Sequence, residues 1–268
     1  MVITELLLFA LLGAFTGIAS GLLGIGGGIL IIPFLSMILI YYGIPVMYVI
    51  HMAVSTSLCI MIFTSLSSVI AHSRKGNVAW PVFKYMVPFI IVGVALGIIL
   101  SKHINAHLLS IFFGIFLLSI SYKMFKGFKP KTESKHRIST KKRKLVRPVA
   151  FIIGFKSGVL GVGGGTLSVP FFFYYGFKAS KAIGTSASFT FPIAVIGTVV
   201  SFFVHSGASS NLPYTYADIY IPALIIIAPL SMIFVTLGVK LVKVLPGKIV
   251  RIIFACLLVF LGISMITG

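Results

Sequence analysis

Two runs of three glycines, Gly26-Gly27-Gly28 and Gly163-Gly164-Gly165, are where this chain is best placed to do chemistry. Each interrupts an apolar stretch, and a helix that restarts after such a break has no intrahelical acceptor for its first N–H groups. Those groups and the positive end of the helix dipole favour an anion, and glycine lets it come close to the backbone. Thr166 follows the second run directly. Downstream lie two hydroxyl clusters, Ser55-Thr56-Ser57 and Thr185-Ser186 with Ser188, whose side chains either donate to an oxyanion or bond back to a helix carbonyl. Lys156 precedes the second break where the first half has Ala19. It reads either as a fixed positive charge on an anion path or as a side chain reaching back to headgroups. The candidate substrate-binding set is therefore Gly26, Gly27, Gly28, Gly163, Gly164, Gly165, Thr166, Ser55, Thr56, Ser57, Thr185, Ser186 and Lys156.

The other reactive side chains offer less. Of three acidic residues, Glu133 sits in a basic stretch, and Glu5 and Asp218 fall at predicted outer helix ends, so no carboxylate relay across a membrane is expected. His51, His72 and His205 read as interfacial, and Cys59 and Cys256 as packing residues in apolar helices. No two of His, Asp, Glu and Cys share a predicted face at ligand spacing, so no catalytic centre, metal or cofactor is expected. The glycine strings follow no strand and lack both a Lys-Ser/Thr ending and a downstream acid, which excludes a dinucleotide or P-loop site. Tight helix packing is the competing reading of the glycines.

The elements that must hold these residues follow from composition. A chain of 268 residues that is 59% hydrophobic and 9% charged cannot bury its apolar surface in one soluble core. Apolar segments run over 6–23, 53–71, 78–100, 108–124, 151–175, 182–205, 219–239 and 249–266. Several reach the roughly 20 residues that cross about 30 Å of hydrocarbon. The start, Met1-Val-Ile-Thr-Glu5, has no basic run, so no cleaved signal peptide is expected. Eleven of the 22 Lys and Arg residues lie between Lys123 and Arg147. That stretch reads as a cytoplasmic linker beside anionic headgroups and not as a nucleic-acid site.

The chain repeats itself. SGLLGIGGGILIIPF from Ser20 overlies SGVLGVGGGTLSVPF from Ser157, matching Gly21, Gly24 and Pro33 with Gly158, Gly161 and Pro170. Ala53-VSTS overlies Ala182-IGTS, and Pro81, Pro88, Gly97 and Lys102 overlie Pro222, Pro229, Gly238 and Lys243. Were the halves parallel with the linker inside, Lys102, Lys178, Lys181, Lys240, Lys243, Lys248 and Arg251 would all face outward. Inverted, with both termini outside, only Lys102 clearly does, so the positive-inside rule favours inversion. Inversion needs an odd number of crossings before Arg74, which a re-entrant hairpin plus one span supplies. The arms 148–160 and 164–175 are each about 20 Å long, too short to cross comfortably, whereas 3–23 is long enough. The hairpin tips should then meet near the bilayer midplane. The expected fold is an all-α polytopic membrane protein of two inverted-topology repeats, each a glycine-broken helical hairpin plus three transmembrane helices. The repeats cover 1–125 and 149–268, with the basic cytoplasmic linker at 126–148.

The paired strings, with RKGNVAWP from Arg74, resemble the sulfite exporter TauE/SafE family over nearly the whole chain. The resemblance implies a multi-pass permease of the bacterial cytoplasmic membrane that moves sulfite, organosulfonates and related sulfur-containing anions, often outward; the two inverted halves are expected to work by alternating access around the tips. It does not name the substrate. Lys156, where a small or apolar residue is usual, and the strongly basic linker depart from the pattern. The implied partners are a small anionic substrate and the lipid bilayer, with a homo-oligomer left open. A membrane scaffold recruiting partners through the linker and a membrane-embedded component of a sulfur-compound enzyme are the alternatives.

Overall fold

The computed structural model describes residues 3–23, 26–126, 143–204, 212–241 and 247–267. Gly24, His205, Lys243 and most of the basic linker lie outside these residues. In lipid a segment must satisfy its own backbone hydrogen bonds, and the apolar runs accordingly form helices. They are α1 (Ile3–Leu23), α2 (Gly28–Tyr41), α3 (Val46–Arg74), α4 (Trp80–His103), α5 (Ala106–Lys126), α6 (Arg143–Leu160), α7 (Gly165–Tyr174), α8 (Ala179–Phe203), α9 (Ile221–Leu241) and α10 (Gly247–Thr267). Seven of them, α1, α3, α4, α5, α8, α9 and α10, are long and apolar enough to cross a membrane. The 14 residues of α2 and 10 of α7 reach only about 21 and 15 Å.

Helix α6 begins five residues before the expected linker boundary at 148, so Arg147 is helical. Its guanidinium lies over the rings of Tyr85 and Phe89. The segment expected as helix from 219 starts at Ile221 instead. Ile219 and Tyr220 form a strand, β2 (Ile219–Tyr220), paired antiparallel with β1 (Thr215–Tyr216). The turn residues Ala217 and Asp218 both have positive φ, 48° and 63°, as a two-residue hairpin requires.

Glycine sets the closest helix contacts. A Cβ on Gly17 would stand 2.5 Å from the Ser231 carbonyl oxygen, and one on Gly21 2.3 Å from that of Val235, so α1 and α9 touch backbone to backbone. The equivalent pair, α6 and α4, packs the same way: a Cβ on Gly158 would meet the Val94 oxygen at 2.4 Å, and one on Gly97 the Phe155 oxygen at 2.2 Å. Both pairs run parallel, since contacts advance together from Gly13 opposite Ile227 to Gly21 opposite Val235, and from Gly93 opposite Phe151 to Gly97 opposite Phe155. Helices α3 and α8 are antiparallel at the centre, where Ser55 meets Ser201 and Leu58 meets Gly197. Helices α5 and α10 also run antiparallel, through hydrogen bonds from Ser110 to the Met265 carbonyl and from Ser121 to that of Ala255. Large side chains such as Leu11, Val92, Ile115, Ile225 and Ile253 point outward, as they do when lipid is the solvent.

Candidate functional site

Both glycine breaks come to rest against the middle of α3 and α8, and they touch each other. A Cβ on Gly28 would stand 2.8 Å from the Gly161 carbonyl oxygen, 2.8 Å from Met61 Sδ and 2.9 Å from Ser57 Oγ. Gly161 itself fits against Val54 and Ile32, and Ser57 donates a hydrogen bond to its carbonyl at 3.3 Å. Gly26 lies against Thr190, and Gly164 against Ile193 and Phe189. Gly163 and Gly165 are buried beside them.

The two breaks are not built alike. Gly26 and Gly27 both take φ of 79°, a left-handed backbone that favours glycine. In the second half the left-handed residue is Gly161, φ 62°, while Gly164 has φ −63°. Both helix starts still lack a side-chain cap. The N–H groups of Leu30 and Ile31 go to the Gly27 carbonyl, leaving those of Gly28 and Ile29 ahead of the helical ladder. At the other tip the Ser168 N–H and hydroxyl both bond to the Gly164 carbonyl, and Gly165 and Thr166 open α7.

Lys156 does not reach back to headgroups. Its amine donates to Thr166 Oγ1 in the first turn of α7 and lies 4.0 Å from the centroid of the Phe116 ring. No carboxylate meets it among the described residues. A lysine amine is thus held beside a helix start whose free N–H groups favour anions.

The hydroxyl clusters divide by task. Thr56 accepts the Tyr220 N–H at 2.9 Å, and its counterpart Thr185 accepts the Ala79 N–H at the same distance. These threonines hold the approaches to α9 and α4. Ser188 bonds back to the Gly184 carbonyl. Ser55 pairs with Ser201 at 2.8 Å and accepts from Lys102 at 3.1 Å. Of these clusters only Ser57 faces the tips directly, while Ser186 is buried without a partner among the described residues.

Three further residues belong with the tips. Ser20, Ser157 and Thr190 are fully buried, and their hydroxyls have no partner among the described residues. Ser20 lies beside Gly27 and Thr190 beside Gly26. An orphaned buried hydroxyl is costly unless something else satisfies it, such as water or a ligand. Ser20 and Ser157 open the two repeated strings, a signal present in the sequence; Thr190, in an apolar helix, carries none.

Comparison with known proteins agrees on the class. The family described as sulfite exporter TauE/SafE matches residues 9–265. A probable membrane transporter protein of Haemophilus influenzae is 29% identical over 98% of this chain and 98% of its own length. One from Methanocaldococcus jannaschii is 29% identical over 97% of this chain and 94% of its own. Another, from Bacillus subtilis, is 30% identical over 72% of this chain and 76% of its own. No solved structure matches.

Proposed function

From the premise that the chain belongs to the sulfite exporter TauE/SafE family and is a multi-pass membrane transporter, we propose that it moves a small sulfur-containing oxyanion, sulfite or an organosulfonate. The membrane is the bacterial cytoplasmic one, and the usual direction is export. The observation that carries this reading is the contact between the two glycine breaks, Gly28 at the start of α2 against the Gly161 carbonyl ahead of α7, with Lys156 on Thr166 and orphaned hydroxyls beside both breaks.

Backbone N–H groups of Gly28, Ile29, Gly165 and Thr166 bind the anion through charge and hydrogen bonds, and Lys156 supplies the counter-charge. Ser20, Ser57, Ser157, Ser186 and Thr190 complete the shell. Alternating access follows from two inverted halves moving around this contact. Helix directions support inversion: α1 runs parallel to α9, and α9 to α3, since Thr56 meets Tyr220 and Thr64 meets Ser231. On the other side α6 runs parallel to α4, and α4 starts beside the start of α8. With α3 and α8 antiparallel, α1 and its counterpart α6 point in opposite directions.

Purified protein in liposomes should carry labelled sulfite, with methanesulfonate or sulfoacetate competing. Lys156→Gln should cut flux while leaving the fold intact, because a hydrogen bond to Thr166 and a ring contact are all that it loses. No flux for any sulfur oxyanion, or full flux in Lys156→Gln, would remove this reading.

A further inference from the structure

One buried ion pair takes no part in the site above. The Lys102 amine meets Asp218 Oδ2 at 2.5 Å, with side chains only 6% and 3% exposed. The same amine donates to Ser55, which pairs with Ser201, and both serines are buried. The ammonium thus holds the carboxylate oxygen inside the protein, and the Ser55–Ser201 hydroxyl pair holds the ammonium. A buried ammonium with hydroxyls beside it offers the kind of donors a sulfur oxyanion requires.

The carboxylate belongs to a small and weakly self-supporting element. A hairpin with two residues per strand is marginal alone. Three of its non-glycine residues, Tyr214, Ala217 and Asp218, take positive φ. It is fixed by its anchors: Asp218 to Lys102, the Tyr220 N–H to Thr56, and the Tyr220 hydroxyl to Glu5 at 2.8 Å. At the equivalent place in the other half, residues 75–79 lead into α4 with the Ala79 N–H on Thr185, and no carboxylate enters among the described residues. The anchor is therefore one-sided.

It also adjoins the tips. Ser55, Thr56 and Ser57 are consecutive, so the ion-pair pocket and the glycine contact are separated by about 3 Å of helix rise and lie on different sides of α3.

We propose that Lys102, Ser55 and Ser201 form a second anion subsite, occupied at rest by Asp218, and that an incoming sulfur oxyanion replaces the carboxylate and releases the β1–β2 hairpin. The exchange swaps one anion for another on one ammonium, so the buried lysine is never left uncompensated. Asp218 keeps the subsite filled and the hairpin shut until a substrate arrives. The proposal rests on the transport reading only in supposing that an anion reaches Ser55.

The test uses the full chain with Cys59 and Cys256 replaced by alanine and Ala217→Cys as reporter, because Ala217 is 3% exposed beside Asp218. Labelling by a membrane-impermeant maleimide should be slow, and sulfate or methanesulfonate should speed it by about tenfold or more over gluconate at equal ionic strength. Asp218→Asn should label fast without added anion and bind radiolabelled sulfate about tenfold more tightly, its internal competitor gone. Lys102→Gln with Asp218→Asn should also label fast but lose that gain in binding. Asp218→Glu, which keeps the charge, should retain anion-dependent labelling and shows that the hairpin tolerates substitution. Labelling indifferent to both anions in the parent and the glutamate variant would overturn the proposal, as would equal sulfate binding in the parent and Asp218→Asn. Responsive labelling without flux in liposomes would instead overturn transport and leave the subsite standing.

Discussion

Replacing Gly28 by alanine tests the contact between the two breaks, and replacing Gly27 supplies its control. A methyl group on Gly28 would have three neighbours inside 3.0 Å: the Gly161 carbonyl oxygen, Met61 Sδ and Ser57 Oγ. Met61 can swing aside, and Ser57 can rotate if it gives up its bond to Gly161. The carbonyl is backbone and cannot. The tips must therefore move apart by a few tenths of an ångström, at about 1–3 kcal/mol for overpacking and about 1 kcal/mol for the lost hydrogen bond. Gly27 differs, because its added Cβ has no neighbour closer than 3.6 Å. Its cost is the left-handed backbone, about 1–2 kcal/mol for alanine. Gly28→Ala should thus be the less stable by about 1–2 kcal/mol, a factor of roughly 5 to 30 in the folded ratio. Unfolding in detergent measures this, and flux normalised to folded protein shows whether tip spacing matters to transport. A Gly28→Ala protein as stable as Gly27→Ala would mean that the tips are not in contact.

The remaining expectations concern symmetry, packing and sidedness. Thr56→Val and Thr185→Val each strand one backbone N–H at equivalent places, so each should lower stability by about 1–3 kcal/mol and by similar amounts in the same unfolding assay. Gly154→Val would drive a side chain onto the Ile90 carbonyl, 2.1 Å from an added Cβ, and should abolish folded yield on size-exclusion chromatography. The exposed Gly76→Ala, with nothing within 4 Å, should lose only the cost of its positive φ, about 1–2 kcal/mol. Cysteines at Tyr216 and Lys75 should label from opposite sides of the membrane, with Tyr216 outside; labelling from one side would exclude the inverted arrangement.

Much of the fold was legible because lipid leaves little choice. Apolar runs must be helices, and the matched strings open matched elements, since a helix starts at the last glycine of each triple run, α2 at Gly28 and α7 at Gly165. The glycines carried two messages that a string cannot separate. Gly21, Gly158, Gly97 and Gly238 allow helices to touch, whereas Gly26, Gly27 and Gly161 let the backbone turn left-handed. Spacing alone does not tell which. The ion pair was hidden for a different reason: Lys102 and Asp218 are 116 residues apart and each looked like an outer-face residue. Nor did the sequence signal that Ile219 and Tyr220 would leave the helical run, since strand pairing with Thr215 and Tyr216 decides it.

Repetition also hid the asymmetry on which a transporter depends. Two identical halves would make the inward-open and outward-open states equal in energy, with no built-in resting side. Here each departure from the repeat falls on one side only. Lys156 stands where the first half has Ala19, so among the described residues the second tip alone carries an amine. Ser55 has Gly184 as its counterpart, and Gly184 is pressed against the Asn77 carbonyl, where an added Cβ would stand 2.4 Å away. The pocket that holds Asp218 at one end of α4 is therefore closed by backbone at the other. On the proposed transport reading, an anion at the tips finds a second lysine, Lys102, a few ångströms along α3 toward the hairpin end, and none of that kind among the described residues in the other direction. In the proposed inverted arrangement that end is the outer face, the direction that the proposed export requires.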